Sequence, residues 1–440
     1  MATSTTAHPA QTPGTHHVFR GWFVVAAGFI IMATCYTTFI NTMSLFQARI
    51  VEDLGITIAQ YNFTSSISTL MSIVGAAGVG MLADRVSSRV LGCVAVTLAS
   101  LTLVALSAVT QVWQLYVLFA VAGMVVLSGL RLLISLVAAN WFTAKRGLAI
   151  SIALSGSGFG GAILSPIVSS AIVTYGWRVA LLILAAICFV ASFPVTAFAF
   201  HTHPSELGLE PYGEGETAAE AQSPEAKTDT DFAGRGWEFV RRHSSFWLLA
   251  GAFLLMGVVN VAVLGNQVTN MTSVTMNGEK IITGGHDLTW AGTVMSVNLV
   301  TVVIAKISLG AIYDRFGLRF GNVLGSVACI VASVALCFPA TNVGPYVAAV
   351  AFGIGTCMGT VAPTVAASKL YGMRDLGKVS GMITSIEMAG GVAGALLSGL
   401  MFDTARSFVP VWIMCGICSA VMLVGLLAAE AKAVRQGGSN

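Results

Sequence analysis

A short motif occurs twice in this chain, each time at the end of a long apolar run. The two copies are Gly80-Met-Leu-Ala-Asp84-Arg85 and Gly310-Ala-Ile-Tyr-Asp314-Arg315. A second pair, Gly161-Ala-Ile-Leu-Ser165 and Gly394-Ala-Leu-Leu-Ser398, repeats at a similar offset. Repetition of an apolar unit at one offset indicates a tandem duplication, so the chain is expected to fold as two similar halves.

The composition places both halves in a lipid bilayer. Only 9% of the residues are charged and 56% are hydrophobic, whereas a soluble domain carries about a quarter charged residues. The net charge is +3, and the lack of a basic run with interleaved aromatics excludes a nucleic-acid partner. No His cluster has metal-ligand spacing and no nucleophile–base pair is evident, so we expect no metal, no cofactor and no enzyme activity.

Runs of about 20 apolar residues predict twelve membrane-spanning helices. We predict spans at 20–46, 58–83, 90–110, 112–140, 145–172, 177–200, 246–271, 288–313, 319–340, 343–370, 377–402 and 408–431. The predicted fold is an all-α membrane protein of two pseudo-symmetric six-helix bundles. The predicted domains are a tail at 1–19, a bundle at 20–200, an acidic linker at 201–244, a bundle at 245–431 and a tail at 432–440.

The distribution of Lys and Arg in short loops predicts the orientation. One side carries Arg85, Arg89, Lys145, Arg146, Arg315, Arg319, Lys369, Arg374 and Lys378. The other side carries Arg49, Arg178, Lys280 and Arg406. The richer side is expected to face the cytoplasm, which places both termini and the linker there, in a multi-pass protein of the cell (inner) membrane.

Several local patterns resemble a known family. They are Arg20-Gly-Trp22, the segment Trp141-Phe-Thr-Ala-Lys145-Arg146-Gly147 leading into Gly156-Ser-Gly158-Phe-Gly160, Tyr175-Gly-Trp-Arg178 and Pro204-Ser-Glu-Leu-Gly208. With the two six-span sets and the duplicated motif, the chain resembles the major facilitator superfamily. Within it, these patterns are similar to the monocarboxylate transporters and bacterial oxalate/formate antiporters. The resemblance implies a transporter whose spans 1, 4, 7 and 10 line a central cavity, with spans 2, 5, 8 and 11 beside them.

Three ionisable residues lie well inside predicted spans: Arg131, Lys306 and Glu387. Each costs about 2.5–3.5 kcal/mol at a helix centre, so an intramembrane charge is a functional hypothesis by default. For Arg131 and Lys306, the alternative is that the long side chain extends along the helix and places its charge at the membrane surface. Glu387 has a structural ion pair, for example with Lys306, as its alternative.

The resemblance also implies roles for these charges. Lys306 stands where the monocarboxylate family carries a substrate-binding arginine, four residues before Gly310. The family often has an acidic residue four positions before that arginine, associated with proton coupling, and here that position is Val302. Glu387 is therefore the predicted proton-coupling residue, and Lys306 and Arg131 the predicted substrate-binding cations.

Uncharged polar residues could complete a binding site. The candidates are Tyr36, Asn260, Asn266 and Asn298, and each amide could instead form a helix–helix hydrogen bond. Around the duplicated motif, Asp84, Arg85, Asp314 and Arg315 could form a conformational latch, because a carboxylate at one helix end can meet the positive N-terminus of another. The alternative is a solvated loop whose charges set orientation only.

Together these features predict a secondary active transporter of a small organic anion, a mono- or dicarboxylate, working by alternating access. A proton or a counter-anion is the expected coupled species, and a monomer is expected. One alternative is a proton-driven efflux carrier for amphipathic compounds, with Glu387 as the proton carrier. Another is an anion sensor that does not transport, which would be expected to carry a folded signalling domain.

Overall fold

We describe the protein from a computed structural model of the 440-residue chain. The structure describes residues 19–437 apart from 84, 144–145, 213–235, 277 and 373–374; at 77, 80, 83, 314 and 434–437 it describes the backbone alone. In this part of the chain, eleven helices are long and apolar enough to cross a membrane. Helix Ile58–Ala83 completes the twelve spans of the fold.

The spans form two sets of six. Spans 1 to 6 are Gly21–Leu54, Ile58–Ala83, Ser88–Ser107, Val112–Trp141, Arg146–Tyr175 and Trp177–Ala199. Spans 7 to 12 are Ser244–Met271, Leu288–Tyr313, Arg315–Leu336, Gly344–Tyr371, Leu376–Ala405 and Val409–Ala433. The predicted all-α fold of twelve spans is confirmed, and most predicted bounds are within a few residues. Span 1 is the exception, because it continues to Leu54 rather than ending at 46.

Span 1 begins and span 12 ends on the same side of the bundle, which we call the terminal side; the opposite side is the distal side. Spans 8 and 9 are two helices separated at Gly317, whose φ of 82° and ψ of 169° are not helical and form the turn between them. A small antiparallel hairpin, Ser273–Met276 with Glu279–Ile282, joins spans 7 and 8 on the distal side. This hairpin is absent from the sequence prediction, although Asn277-Gly278 is a strong turn signal.

Glycines bring spans 1 and 5 into backbone contact. A Cβ added to Gly156 would lie 2.2 Å from the carbonyl oxygen of Phe29. One added to Gly160 would lie 2.0 Å from the carbonyl oxygen of Ala33. Real Cβ atoms do not approach backbone oxygens this closely, so only glycine allows the two helices to pack at this distance.

Spans 7 and 11 repeat this arrangement in the second half. A Cβ on Gly390 would lie 1.9 Å from the carbonyl oxygen of Leu254, and one on Gly394 would lie 2.4 Å from that of Val258. The spacing of four residues is the same in both halves. The packing is nevertheless one residue out of step with the repeat in the sequence, which aligns Gly394 with Gly161 rather than Gly160.

The two halves meet through spans 2 and 11 and through spans 5 and 8. Near the distal side, a buried polar network crosses between them. Asn62 donates to Asn266 at 3.0 Å and to Ser398 at 3.2 Å, while Gln47 donates to Asn62 at 2.7 Å and to Asn266 at 3.2 Å. These bonds join spans 1 and 2 to spans 7 and 11 and close the distal side.

A carboxylate adds to this closure. Asp403, at the distal end of span 11, accepts hydrogen bonds from the backbone amides of Ile58 and Ala59, each at 3.1 Å. These amides belong to the first turn of span 2, which has no partner for them within its own helix. Asp403 therefore caps a helix of the other half, in the position where the helix dipole favours a negative charge.

The same four spans separate toward the terminal side. Five glycines of these spans near the terminal side face open space, because a Cβ added to any of them would meet nothing within 4 Å. They are Gly78, Gly147, Gly310, Gly377 and Gly381. Among the described residues the halves thus touch at the distal side and diverge at the terminal side, which leaves a cavity between them that opens to the terminal side.

Candidate functional site

Span 4 brings a cation to this cavity. Its π-helical segment Gly123–Leu130 ends immediately before Arg131, where the α-helix resumes. Gly123 allows span 2 to approach, since a Cβ there would lie 2.2 Å from the carbonyl oxygen of Ser68. π-Helical turns inside α-helices are frequent at functional sites. Arg131 is exposed although it lies ten residues inside its span, as expected for a side chain in an open cavity.

The second half contributes a carboxylate held by a chain of hydrogen bonds. Thr356 of span 10 donates to the Oδ1 atom of Asn260 at 2.7 Å, which turns the amide nitrogen of Asn260 toward span 11. That nitrogen donates to Oε1 of Glu387 at 3.5 Å. Gly359 leaves the space for the carboxylate, because a Cβ there would lie 2.3 Å from Oε1. Residues of spans 7 and 10 therefore surround the carboxylate of Glu387 on span 11.

Lys306 completes the charged site. It is half-buried on span 8, on the side of the buried Cys357 of span 10. Arg131 is close enough to interact electrostatically with Lys306 and with Glu387, so the cation of the first half lies near both charged residues of the second half. None of the three takes part in an ion pair within 4.0 Å among the described residues, so the proposed structural pair of Glu387 with Lys306 is not formed.

A smaller pocket reaches the distal network at Asn62, and none of the three charged residues lines it. It encloses about 110 Å³ between spans 1, 2, 4 and 7. Its lining is Phe39, Ile40, Met43, Ser44, Tyr61, Asn62, Ser65, Ser68, Thr69, Phe119, Ala122, Leu127, Val261, Leu264 and Gly265. Leu127 lies four residues, about one helical turn, before Arg131, and Val261 directly follows Asn260.

Two of the predicted substrate-binding amides lie in helix contacts. Asn298 is fully buried and donates to the carbonyl oxygen of Ala349 at 2.8 Å, which joins spans 8 and 10. Asn266 is fully buried in the network at the distal side, where both its donors and its acceptor have partners. Tyr36 is partly buried against the core of the first half, at the end of the π-helical segment Met32–Tyr36. Asn260 alone among the predicted amides contacts a charged residue of the site.

The predicted latch remains a prediction. Asp84 lies outside the described residues, and the side chain of Asp314 is also not described. Arg85 and Arg315 are exposed on the terminal side, and the Arg315 guanidinium lies 5.5 Å from the ring centroid of Phe316. Both arginines are thus accessible to a partner from another element.

Three of the sequence patterns that carry the resemblance meet at one point on the terminal side. The Trp22 ring packs against Phe142 at 5.0 Å between centroids. Trp141 donates from Nε1 to the carbonyl oxygen of His201 at 2.8 Å, just before the segment Pro204–Leu207. Tyr212 also packs against Phe142, at 5.7 Å. These contacts attach the first part of the linker to spans 1 and 4.

The remaining pattern, Tyr175-Gly-Trp-Arg178, joins spans on the distal side. Arg178 donates to the carboxylate of Asp53 at 2.8 Å and to the carbonyl oxygen of Ser107 at 2.8 Å. It therefore links spans 1, 3 and 6. Gly176, with φ of 81°, forms the turn that places it there.

Some residues of the site escaped the sequence prediction. Thr356 and Gly359 lie beside Glu387, but the spans contain many other threonines and glycines and nothing in the sequence distinguishes these two. Asn62 and Gln47 had a visible signal, since buried amides in apolar spans require partners. Asp403 is near a helix end, where it resembles an ordinary loop charge.

The fold and the site together define a membrane transporter with its charged site between two six-helix halves. The profile of the Major Facilitator Superfamily matches residues 27–368 and 285–439, and the chain belongs to this family.

Comparison with individual proteins agrees with this class. The chain is 24% identical to monocarboxylate transporter 12 of Rattus norvegicus over 435 residues, covering 94% of this chain and 86% of that one. It is 23% identical to monocarboxylate transporter 11 of Mus musculus, covering 92% and 86%. Among solved structures, the nucleoside transporter NupG superposes with a TM-score of 0.68 at 14% identity, covering 93% of this chain and 99% of NupG. A bacterial homologue of the human lysosomal transporter Spinster gives 0.64 at 14% identity, covering 96% and 97%. At such identities the structures show a shared fold.

Proposed function

We propose that this protein is a secondary active transporter of a small organic anion, with a carboxylate as the recognised group. The observation that carries the proposal is the meeting of Arg131, Lys306 and Glu387 in a cavity between the halves. A cation from each half would hold the anion. The similarity to proteins named monocarboxylate transporters supports the carboxylate.

The two cations also suggest how binding and conformational change are linked. Arg131 and Lys306 repel each other across the empty cavity, which opposes approach of the halves at the terminal side. A bound anion would replace this repulsion with attraction to both halves. The terminal side could then close while the distal network opens, as alternating access requires.

Glu387 is the proposed coupling residue. It lies near Arg131, within the charged site. Protonation of Glu387 would raise the net positive charge of the cavity and favour the anion, which gives proton symport. Exchange against a counter-anion is the other coupling mode that the site allows, because an anion is needed to reduce repulsion between the cations.

The proposal includes the orientation and the bounds of the domains. The excess of Lys and Arg on the terminal side supports a cytoplasmic location for that side, in a cell (inner) membrane. The two six-helix bundles at 20–200 and 245–431 would move as rigid units, joined by the linker at 201–244, within a monomer.

The apolar walls of the pocket favour one second candidate, the proton-driven efflux of amphipathic compounds. The two candidates differ in the charge of the substrate. An efflux carrier for neutral or cationic amphipaths would not require Lys306, whereas an anion carrier would.

The test is uptake of radiolabelled pyruvate by proteoliposomes containing the native protein or Lys306→Met. We expect uptake by the variant to fall to the background of empty liposomes while the protein stays monodisperse. Lys280→Met, on the exposed distal hairpin, is the matched control and should transport normally. Uptake by Lys306→Met near the native rate would contradict the proposal.

A further inference from the structure

The hydrogen-bond chain that ends at Glu387 begins one span away, at Thr356 of span 10. We propose that Thr356 is a positioning residue that sets the pH at which Glu387 takes up its proton, by fixing the orientation of the Asn260 amide. The inference rests on the proposed role of Glu387 as the coupling residue. It extends that role, because it assigns the pH dependence of transport to an uncharged residue of another helix.

Thr356 forms a bond that most threonines of the spans do not form. Thr301, Thr360 and Thr384 donate to carbonyl oxygens of their own helices, at 2.8, 3.0 and 3.0 Å. Thr356 instead donates at 2.7 Å to Oδ1 of Asn260, which lies on span 7. Its hydroxyl is therefore used to orient a side chain of another span.

The orientation of Asn260 matters because an amide can present either its nitrogen or its oxygen to a carboxyl group. The nitrogen donates a hydrogen bond and stabilises the charged carboxylate, whereas the oxygen repels the charged form and accepts only from the protonated one. Because Thr356 occupies Oδ1 of Asn260, Nδ2 faces Glu387 and donates to Oε1 at 3.5 Å. The bond from Thr356 thus favours the amide orientation that suits an ionised Glu387.

The spans around Glu387 offer few charges that could override this bond. Arg131 of span 4 acts electrostatically on Glu387, and Lys306 of span 8 lies near Arg131. Spans 2 and 7 pack against span 11 and contain no charged residue. On spans 10 and 12 the charges lie toward the terminal side, at Lys369 and from Glu430 onward, and span 11 carries its other charges near its two ends.

Asn260 is therefore well placed to adjust the proton affinity of Glu387. Among the described residues, Glu387 accepts a hydrogen bond from no other side chain. A Cβ added to Gly359 of span 10 would lie 2.9 Å from Nδ2 of Asn260 and 2.3 Å from Oε1 of Glu387, so span 10 encloses both ends of the bond.

Span 10 holds Thr356 in place independently of the carboxylate. The thiol of Cys357 donates to the carbonyl oxygen of Val302 at 3.3 Å, which attaches the next residue along the chain to span 8. A Cβ added to Gly353, about one turn earlier, would lie 2.9 Å from the carbonyl oxygen of Asn298, so spans 8 and 10 pack closely there. The hydrogen-bond chain runs through spans 7, 10 and 11 only, and it therefore moves with the second half when the cavity changes sides.

The test measures net uptake of labelled pyruvate by proteoliposomes over a series of external pH values. Thr356→Val keeps the shape of the side chain but removes the hydroxyl. We expect the pH of half-maximal uptake to rise by about 0.5–1 unit, because the ionised carboxylate loses part of its hydrogen-bond support. Uptake at low pH should stay near the native rate. Thr356→Ser, which keeps the hydroxyl, should restore the native profile.

Thr360→Val is the matched control. Thr360 is an exposed threonine of the same span that donates only to its own helix, so this variant should keep the native profile. If Thr356→Val does not yield monodisperse protein, Thr356→Ala removes the same hydroxyl with a smaller side chain, and the same shift is expected.

A double variant tests whether Thr356 acts through Asn260. Asn260→Leu removes the donor itself and should shift the profile in the same direction. Adding Thr356→Val to Asn260→Leu should then cause no further shift, since the two residues form one chain. A native profile for Thr356→Val, or a shift that adds to that of Asn260→Leu, would overturn the inference and leave the proposed function standing.

Failure of the proposed function would look different. Native uptake that does not respond to pH would overturn the inference together with the proposed coupling role of Glu387. Uptake independent of Lys306 would contradict the proposed anion site, whatever the pH profile of the Thr356 variants.

Discussion

The two halves of the protein share a scaffold but differ in chemistry. In each half, two glycines four residues apart let one span press on the backbone of another: Gly156 and Gly160 in the first half, Gly390 and Gly394 in the second. The charges do not follow this symmetry. The first half contributes Arg131 to the site, and the second contributes both Lys306 and Glu387.

This difference indicates that the duplicated unit supplies the rigid frame and that the site was built on it unequally. Glu387 lies on span 11, three residues from the glycine that packs on Leu254. The carboxylate is therefore attached to a helix pair that packs backbone against backbone. A change in the charge of Glu387 on protonation would therefore act on a rigid helix pair rather than on a flexible segment.

The largest expected effect tests the shared scaffold. Gly160→Ala and Gly390→Ala each place a Cβ within about 2 Å of a backbone oxygen, so we expect both to fail to fold, or to lose several degrees or more of thermal stability, since overpacking costs about 1–3 kcal/mol or more. The measurement is the yield of monodisperse protein and its melting temperature in detergent. Gly147→Ala and Gly381→Ala, on the same two spans but facing open space, should be tolerated. If only one of Gly160→Ala and Gly390→Ala lost stability, the two halves would not share the same glycine-dependent scaffold.

The next effect concerns the carboxylate that has no counterpart in the first half. Glu387→Gln removes the proposed proton site but keeps an oxygen for Asn260. We expect exchange of internal for external substrate to continue while net uptake driven by a pH gradient stops. Both modes are measured in proteoliposomes, with the exposed Glu52→Gln as the control. Net uptake by Glu387→Gln that still follows the pH gradient would place the proton route elsewhere.

A smaller effect is expected from the single cation of the first half. Arg131→Gln should weaken binding of a monocarboxylate about tenfold or more, because hydrogen bonds to charged groups contribute about 1.5–3 kcal/mol. A dicarboxylate that bridges both cations should lose more than a monocarboxylate. Competition with labelled pyruvate measures both, and Arg49→Gln, which removes an exposed ion pair, is the control. No loss for either anion would show that Arg131 points to the surface and not to the substrate.

The smallest effect concerns the contact between the halves. Asp403→Asn weakens the cap on span 2, and helix caps contribute about 0.5–2 kcal/mol. We expect a several-fold shift toward the state open on the distal side, measured by the distance between spin labels across that side. Asp53→Asn, which disrupts a pair with Arg178 inside one half, should leave the distribution unchanged. If Asp403→Asn gave the same distance distribution as Asp53→Asn, the amide network would be sufficient to close the distal side without the cap.

The fold could be predicted because each span is a long apolar run bounded by charges or turns. The error in span 1 has a clear cause. Its last turns contain Gln47, Arg49, Glu52 and Asp53, which are polar enough to suggest a loop. In the structure these turns extend to the distal surface, where the Asp53 carboxylate pairs with Arg178.

The site could be predicted in part, for an energetic reason. Charges inside a membrane are costly, and this cost alone singled out Arg131, Lys306 and Glu387. Burying an amide in the membrane costs less free energy than burying a charge, and buried amides form helix contacts as often as they bind substrates. Asn260 could therefore not be distinguished from Asn266 and Asn298. Most spans are apolar all round, and the sequence therefore does not reveal which face of a span lines the cavity.

The cap formed by Asp403 offers a direct readout of the transport cycle. The amides of Ile58 and Ala59 are bonded to a residue of the other half and to no carbonyl of their own helix. When the halves separate at the distal side, these two N–H groups lose their acceptors and meet water. Their hydrogen–deuterium exchange should then accelerate while the amides deeper in span 2 remain protected. Two backbone protons would thus report, without any label, how much of the time the distal gate is open.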